Sequence, residues 1–148
     1  MEPVKNRKAF FDYEILETLE VGIVLEGHEV KSIRKGGLSL KDSYVICKEG
    51  EFWLLNGNIS KYLFAPLENY DPARSRKLLA SRKQIMTWAS KIKQGNLSIV
   101  PLKAYAKGKI IKLEIGLARG KKKHDKKEAV KKRELERELH REKRDIMV

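Results

Sequence analysis

The apolar residues of this 148-residue chain fall in short runs separated by charged turns, a spacing that predicts strands more than a helical bundle. Residues 10–25, FFDYEILETLEVGIVL, are rich in aromatic and branched side chains and are broken near Glu17 to Glu20, which predicts two strands with a turn. Glu29 to Lys35 is short and is followed by Gly36-Gly37, the pattern of one helical segment closed by glycine. SYVIC and EFWLL flank Lys48-Glu49-Gly50 as the arms of a hairpin. Asp71-Pro72 reads as an N-cap and first helical position. Leu78, Leu79, Ile85, Met86, Ala89 and Ile92 then recur at helical spacing until Gly95-Asn96, which predicts one long helix. LSIVPLKAY and KIIKLEIGLA flank Lys107-Gly108, and Ile111, Leu113, Ile115 and Leu117 alternate as a half-buried strand does, so a second hairpin follows.

About six short strands with one long helix between hairpins make an α+β domain, mainly antiparallel β, whose sheet must close or be covered to hide its edges. A small closed barrel of the oligonucleotide-binding type with a long peripheral helix meets that requirement. From Arg119 onward the pattern stops. Val130, Leu135, Leu139, Ile146, Met147 and Val148 are too few for the wide apolar stripe of a core-facing helix, so burial cannot order this stretch. The chain therefore divides into a domain over residues 1–118 and a basic C-terminal tail over 119–148.

Charge changes the picture more than any other property. The formal net charge is +13, and residues 119–148 alone carry thirteen Lys or Arg against seven Asp or Glu, so body and tail are both basic. The block Gly120 to Lys127, GKKKHDKK, repels itself unless phosphates neutralise it. Beyond it, Glu128 with Lys132, Glu134 with Arg137 and Glu138 with Arg141 stand at helical spacings, each pair worth a few tenths of a kcal/mol. The tail is thus a marginal helix or a disordered arm that a polyanion completes, and nucleic acid is the first such partner. A solvated tail without a partner is the plainer reading. A membrane surface fits less well, because no apolar run approaches the roughly 20 residues of a spanning helix and the tail has no large aromatic face.

In the body the cations cluster: Lys5, Arg7 and Lys8 at the start, Lys31, Arg34 and Lys35 in the short helix, and Arg74, Arg76 and Lys77 at the expected opening of the long helix. Cations in that first turn oppose the helix dipole unless an anion docks there, although ordinary surface charge offset by Asp71 accounts for them as well. Tyr13, Tyr62, Tyr70 and Tyr105 offer stacking surfaces for unpaired bases, while Trp53 and Trp88 suit the core.

Nothing in the chain is arranged as a catalytic engine. His28, His124 and His140 lie far apart with no spaced metal-ligand partners, and there is neither a phosphate-binding GxxxxGK[ST] loop nor a GxSxG elbow. Asp12, Glu14, Glu17 and Glu20 would suit a magnesium-dependent nuclease only if they converged, and solvated strand-edge charge explains them more simply. Neither catalytic residues nor a metal or other cofactor is expected. The single cysteine, Cys47, sits in an apolar run and reads as a buried structural thiol. The N-terminal MEPVKNRKAF has no apolar signal core, which predicts a cytoplasmic protein.

Five segments taken in order, NRKAFFDYEI, LEVGIVLEGHEVKSIRKGGLSLKDSYV, DPARSRKLL, VPLKAY and LARGKKKHDKKE, resemble the small protein B family, the partner of transfer-messenger RNA in bacterial ribosome rescue. The resemblance covers most of the chain. It implies an oligonucleotide-binding barrel that grips the tRNA-like domain of transfer-messenger RNA, promotes its charging with alanine and delivers it to stalled ribosomes. The tail then enters the empty messenger channel beside the ribosomal RNA of the decoding region and folds there as a helix. Carried over by motif position, the RNA contacts include Asn6, Glu20, Arg76, Lys77 and Leu79. Arg7, Lys8, Lys31, Arg34 and Arg74 join them as neighbouring cations. The ribosome-contacting positions are Gly120, Lys121, Lys122, Lys123, Asp125, Lys126, Lys127, Ile146 and Met147. Elongation factor Tu and alanyl-tRNA synthetase are implied partners through the RNA. His28, Lys127 and Leu135 depart from the usual family pattern, and Lys127 lacks the fork with which an arginine grips phosphate. A ribosomal or ribosome-assembly protein using the same surfaces is the alternative reading.

Overall fold

The computed structural model describes residues 1–65 and 68–121, together with Arg133 and Arg137. Nine strands and three helices run in the order β1 (Val4–Lys5), α1 (Arg7–Asp12), β2 (Tyr13–Ile23), α2 (Gly27–Arg34), β3 (Leu38–Ser39), β4 (Tyr44–Lys48), β5 (Glu51–Leu55), β6 (Asn58–Ile59), β7 (Arg76–Leu79), α3 (Arg82–Gln94), β8 (Leu97–Lys107) and β9 (Ile110–Gly120) among the described residues. Seven strands form one antiparallel sheet in the order β1-β8-β4-β5-β7-β2-β9, and β9 also pairs with β8, so the pairings run round in a ring with β1 added outside it. The link between β4 and β8 is a single pair, Val45 with Ile99.

Alternation explains what lies inside. Val21, Phe52, Leu54, Leu78, Ile99, Ala104, Leu113, Ile115 and Leu117 point inward and are buried, with Ile33 of α2 and Ile85 and Trp88 of α3 packed on the same core. A smaller cluster, Ala9, Val100, Leu102 and Ala118, seals α1 onto β8 and β9. Among the described residues no helix is long and apolar enough to cross a membrane.

Both hairpins form where the turn residues indicated. Glu49 and Gly50 take φ of 55° and 73° between β4 and β5, and Gly108 takes φ of 64° between β8 and β9. Helix α2 starts with a reciprocal capping box between Glu26 and Glu29 and has Lys31 and Arg34 in its last turn, where cations suit the dipole.

Three expectations are corrected. The stretch 10–25 holds one eleven-residue strand and not two, because the break read at Glu17 to Glu20 is a bulge between Ile15 and Glu17 followed by side chains facing outward. The six-residue α1 ahead of it is too short to leave a periodic signal. The long helix begins at Arg82 and not at Asp71. Ser81 is its N-cap and accepts from the Gln84 amide at 3.2 Å, whereas Asp71 closes a local turn by accepting from the Ala73 amide at 2.9 Å. Leu78 and Leu79, read as helical, belong to β7, which pairs with β5 and β2. Arg74, Arg76 and Lys77 therefore open no helix, and the conflict with a helix dipole does not arise. Cys47, expected to be buried, is exposed at the end of β4.

The turn after α2 tolerates no side chain at Gly37. Its amide donates to the Ser32 carbonyl at 2.8 Å and its carbonyl accepts from Ser60 at 2.9 Å, while the Ser32 hydroxyl donates to the Ser60 carbonyl at 2.6 Å. A Cβ at position 37 would collide with that hydroxyl and stand 2.9 Å from the Ser32 carbonyl oxygen. Gly37→Ala is expected to cost about 1–3 kcal/mol by breaking these bonds. Unchanged thermal melting, followed by circular dichroism, would refute the account.

Candidate nucleic-acid interface

The outer side of the sheet assembles its charges by strand register. Lys5 of β1 stands opposite Lys103 of β8, Lys103 opposite Glu114 of β9, and Glu114 opposite Glu20 of β2. The neighbouring row runs Tyr105, Lys112, Gly22, Leu79 across β8, β9, β2 and β7. Both rows face outward because Ala104, Leu113, Val21 and Leu78, which alternate with them, fill the core. The like charges set opposite one another in the first row are partly answered within it, Lys103 pairing with Glu114 at 3.9 Å and Glu20 with Lys107 at 3.2 Å.

Glu20 organises the centre. It accepts from the Tyr105 hydroxyl and, at 3.2 Å, from the Lys107 ammonium. These two donors hold its carboxyl below the usual carboxylate range. Loss of water around the Tyr105 hydroxyl, together with the Glu20 carboxylate, pushes Tyr105 up to about 12. At neutral pH the pair is a charged acceptor and a neutral phenol, and the Lys103 ammonium lies 5.4 Å from the centre of the Tyr105 ring. Leu79, 54% exposed, covers Gly22, where a Cβ would come within 3.2 Å of the Leu79 Cβ.

From this face the positive charge continues onto α2. Arg34 reaches the Gly108 carbonyl in the β8–β9 turn at 3.3 Å, and one turn back Lys31 lies 5.8 Å from the centre of the Tyr62 ring. Beneath α2 a buried cluster fixes its position. Glu29 and Arg76 are both fully buried. One Glu29 oxygen takes the Glu26 amide at 3.0 Å and Arg74. The other takes Arg76 Nε at 3.0 Å, Arg76 Nη2 at 2.6 Å and the Tyr70 hydroxyl at 2.9 Å. Arg76 also donates to the carbonyls of Gly57, Arg74 and Pro72 at 2.7 to 3.0 Å. Burial alone would raise the Glu29 pKa, but the Glu26 amide, both guanidinium groups and Tyr70 outweigh it and bring the carboxyl down to about 2.

Of the residues expected to bind RNA, the structure brings Glu20 and Leu79 into the two rows, with Lys77 beside them, half-exposed and 3.6 Å from Glu51. Arg34 and Lys31 border them on α2. Arg7 and Lys8 are exposed on α1, where Lys8 pairs with Asp42 at 2.6 Å. Two placements differ from expectation. Arg76 offers no surface to RNA, since every nitrogen of its guanidinium is turned inward against Glu29 or a carbonyl. Asn6 is buried and ties the N-terminal segment to β8, its amide donating to Leu102 and its side chain to Pro101, both at 2.8 Å. Arg74 is shared between the two roles, partly exposed but committed to Glu29.

Lys103, Lys107 and Lys112 were not singled out by sequence, and Tyr105 entered only as one of four stacking candidates. The alternation Lys103-x-Tyr105-x-Lys107 in a strand carried the signal. Two of the carboxylates of β2 are engaged by cations and a phenol: Glu17 pairs with Lys91 at 2.6 Å, and Glu20 serves Tyr105 and Lys107. Gly120 is the last residue of β9, opposite Tyr13, and the Lys121 amide and ammonium donate to the carbonyls of Asp12 and Phe10. Lys122, Lys123, Asp125, Lys126, Lys127, Ile146 and Met147 lie outside the described residues.

Fold and face define a basic, mainly antiparallel β protein with its cations aligned across one side of a sheet. Residues 3–145 match the family described as SmpB protein. The SsrA-binding protein of Mycoplasma mycoides is 48% identical over 135 residues, covering 90% of this chain and 91% of the relative. That of Gloeothece citriformis is 51% identical over 137 residues, covering 92% and 88%. A solved chain from "tmRNA-SmpB: a journey to the center of the bacterial ribosome" superposes with a TM-score of 0.68 at 42% identity, covering 86% of this chain and 94% of that one. The chain belongs to the SmpB family.

Proposed function

We propose that this protein is an RNA-binding adaptor that holds the tRNA-like domain of transfer-messenger RNA and delivers it to stalled ribosomes for trans-translation. The observation that carries the reading is the pair of rows across the outer sheet face, where Lys5, Lys103 and Lys112 flank the Glu20–Tyr105 pair. Lysines supply phosphate contacts, Tyr105 a stacking surface, and Glu20 both the positioning of Tyr105 and an acceptor for a base or ribose edge. The relatives named as SsrA-binding proteins support the choice of RNA.

In this reading the ring of strands is a small closed barrel of the oligonucleotide-binding type, and the protein works in the cytoplasm as a binder and not as an enzyme. The basic tail enters the empty messenger channel, where Lys122 to Lys127 meet ribosomal RNA and Ile146 and Met147 anchor the end. Elongation factor Tu and alanyl-tRNA synthetase meet the protein through the RNA.

A salt series tests it. The full chain is titrated with the tRNA-like domain, a size-matched tRNA and an arbitrary stem-loop. Charge alone predicts affinities that fall together steeply with salt. The adaptor reading expects a preference of about a hundredfold, roughly 2.7 kcal/mol, to survive at physiological salt. Lys103→Ala should lower the salt slope by about one and weaken all three RNAs alike. Equal binding of the three RNAs by the unaltered protein would overturn the assignment.

A further inference from the structure

The turn from Tyr62 to Ala65 is closed by the Ala65 amide donating to the Tyr62 carbonyl at 3.1 Å, and it holds Leu63 and Phe64 out at its corners, 91% and 76% exposed. Exposed apolar side chains are ordinary when single, but here two stand side by side next to the half-buried Tyr62. The Tyr62 and Phe64 rings meet edge to face with centroids 5.4 Å apart, and Lys31 lies on Tyr62. The turn projects from a braced base, because Ser60 just before it is bonded to both Ser32 and Gly37.

We propose that this tip is a second, separate RNA contact, which takes an unpaired nucleobase against Phe64 and Tyr62 while Lys31 meets a flanking phosphate. The proposal rests on the RNA-binding reading and extends it. The partner is argued from continuity of charge. Lys31 and Arg34 lie one helical turn apart on α2, and Arg34 touches Gly108 in the β8–β9 turn, next to Lys107 at the end of β8, so an RNA chain on the sheet face is led along α2 to the tip. Base stacking is indifferent to sequence, since every base has a π-face, and a neighbouring cation strengthens the site.

The test uses the full chain and two synthetic RNA hairpins of equal length and charge, one fully paired and one with a single bulged adenine. Neither contains transfer-messenger RNA sequence, so the result is independent of the preference for the tRNA-like domain. The unaltered protein should favour the bulged hairpin by about tenfold, within the range of one base–aromatic stack. Phe64→Ala should abolish that preference without changing the salt slope, and Phe64→Trp should keep it. Replacing adenine with 2-aminopurine should give fluorescence quenching that Phe64→Ala removes. Equal affinity for the two hairpins, or a preference that survives Phe64→Ala, overturns the proposal. So does a Phe64→Ala effect confined to binding of phosphatidylglycerol vesicles, which would make the tip a membrane contact.

Discussion

Arg76→Ala is expected to destabilise the protein by about 3–5 kcal/mol, because it strips the Glu29 carboxylate of its main partner while leaving that charge fully buried. The Gly57, Arg74 and Pro72 carbonyls lose their donor in the same step. Chemical denaturation of the variant beside the unaltered chain measures the loss. Arg76→Lys should recover little of it, since a single ammonium cannot reproduce a fork that meets one carboxylate and three carbonyls. A cost below about 1 kcal/mol for Arg76→Ala would mean that the cluster relaxes or fills with water, and the bracing role assigned to it would fail.

The same cluster sets an acid limit. The Glu29 carboxyl is held at about 2 against its ordinary 4.5, so the folded state binds its proton less readily than the unfolded chain does. Its stabilisation is complete above about 4.5 and is lost progressively as pH falls toward 2. Glu29→Gln should flatten that part of the stability curve while lowering stability at neutral pH. The cluster also seats α2 and the segment leading into β7, so the role proposed for Arg76 toward RNA is one of position alone. At a temperature where the variant is fully folded, its RNA contacts should weaken on α2 and not on the rows of Lys103 and Tyr105.

The second large effect is expected from removing the tail. β9 continues to Gly120 and Lys121 is bonded to α1, so the informative cut falls after Lys121. A cut after Ala118 would also remove the pairs of Arg119 and Gly120 with β2. The chain ending at Lys121 should bind the tRNA-like domain within a few-fold of the full protein at physiological salt. Its salt slope should be shallower, because eleven of the Lys and Arg residues are gone. Release of stalled ribosomes by transfer-messenger RNA in a reconstituted translation system should fall to background. If specific RNA affinity vanished with the tail, the division of labour between body and tail would be wrong. Rescue that persisted without it would remove the proposed entry into the messenger channel.

Much of the body was legible because local signals agreed with the fold. The glycines at 50 and 108 mark hairpins whose strands alternate cleanly, and α2 has both its glutamate box and its cationic end in nine consecutive residues. The failures occurred where a contact distant in sequence decided the outcome. Leu78 and Leu79 have apolar character compatible with helix or strand, and pairing with Phe52 and Gly22 made them a strand. Arg76 looks like any surface cation until Glu29, forty-seven residues earlier, is placed against it. Asn6 likewise became a brace only because Pro101 lies beside it.

By itself, then, the sequence determined that the chain is basic throughout, mainly antiparallel, and ends in a segment with too little apolar surface to bury. These are properties of composition and of periods of two or four residues, which need no knowledge of distant neighbours. Only the tertiary structure decided which charges act together. Strand register set Lys5 beside Lys103 and Glu20 beside Glu114, and turned Arg76 inward while leaving Lys77 half-exposed. Charges interact according to distance and exposure, and both are created when strands far apart in sequence are brought within about 5 Å of one another.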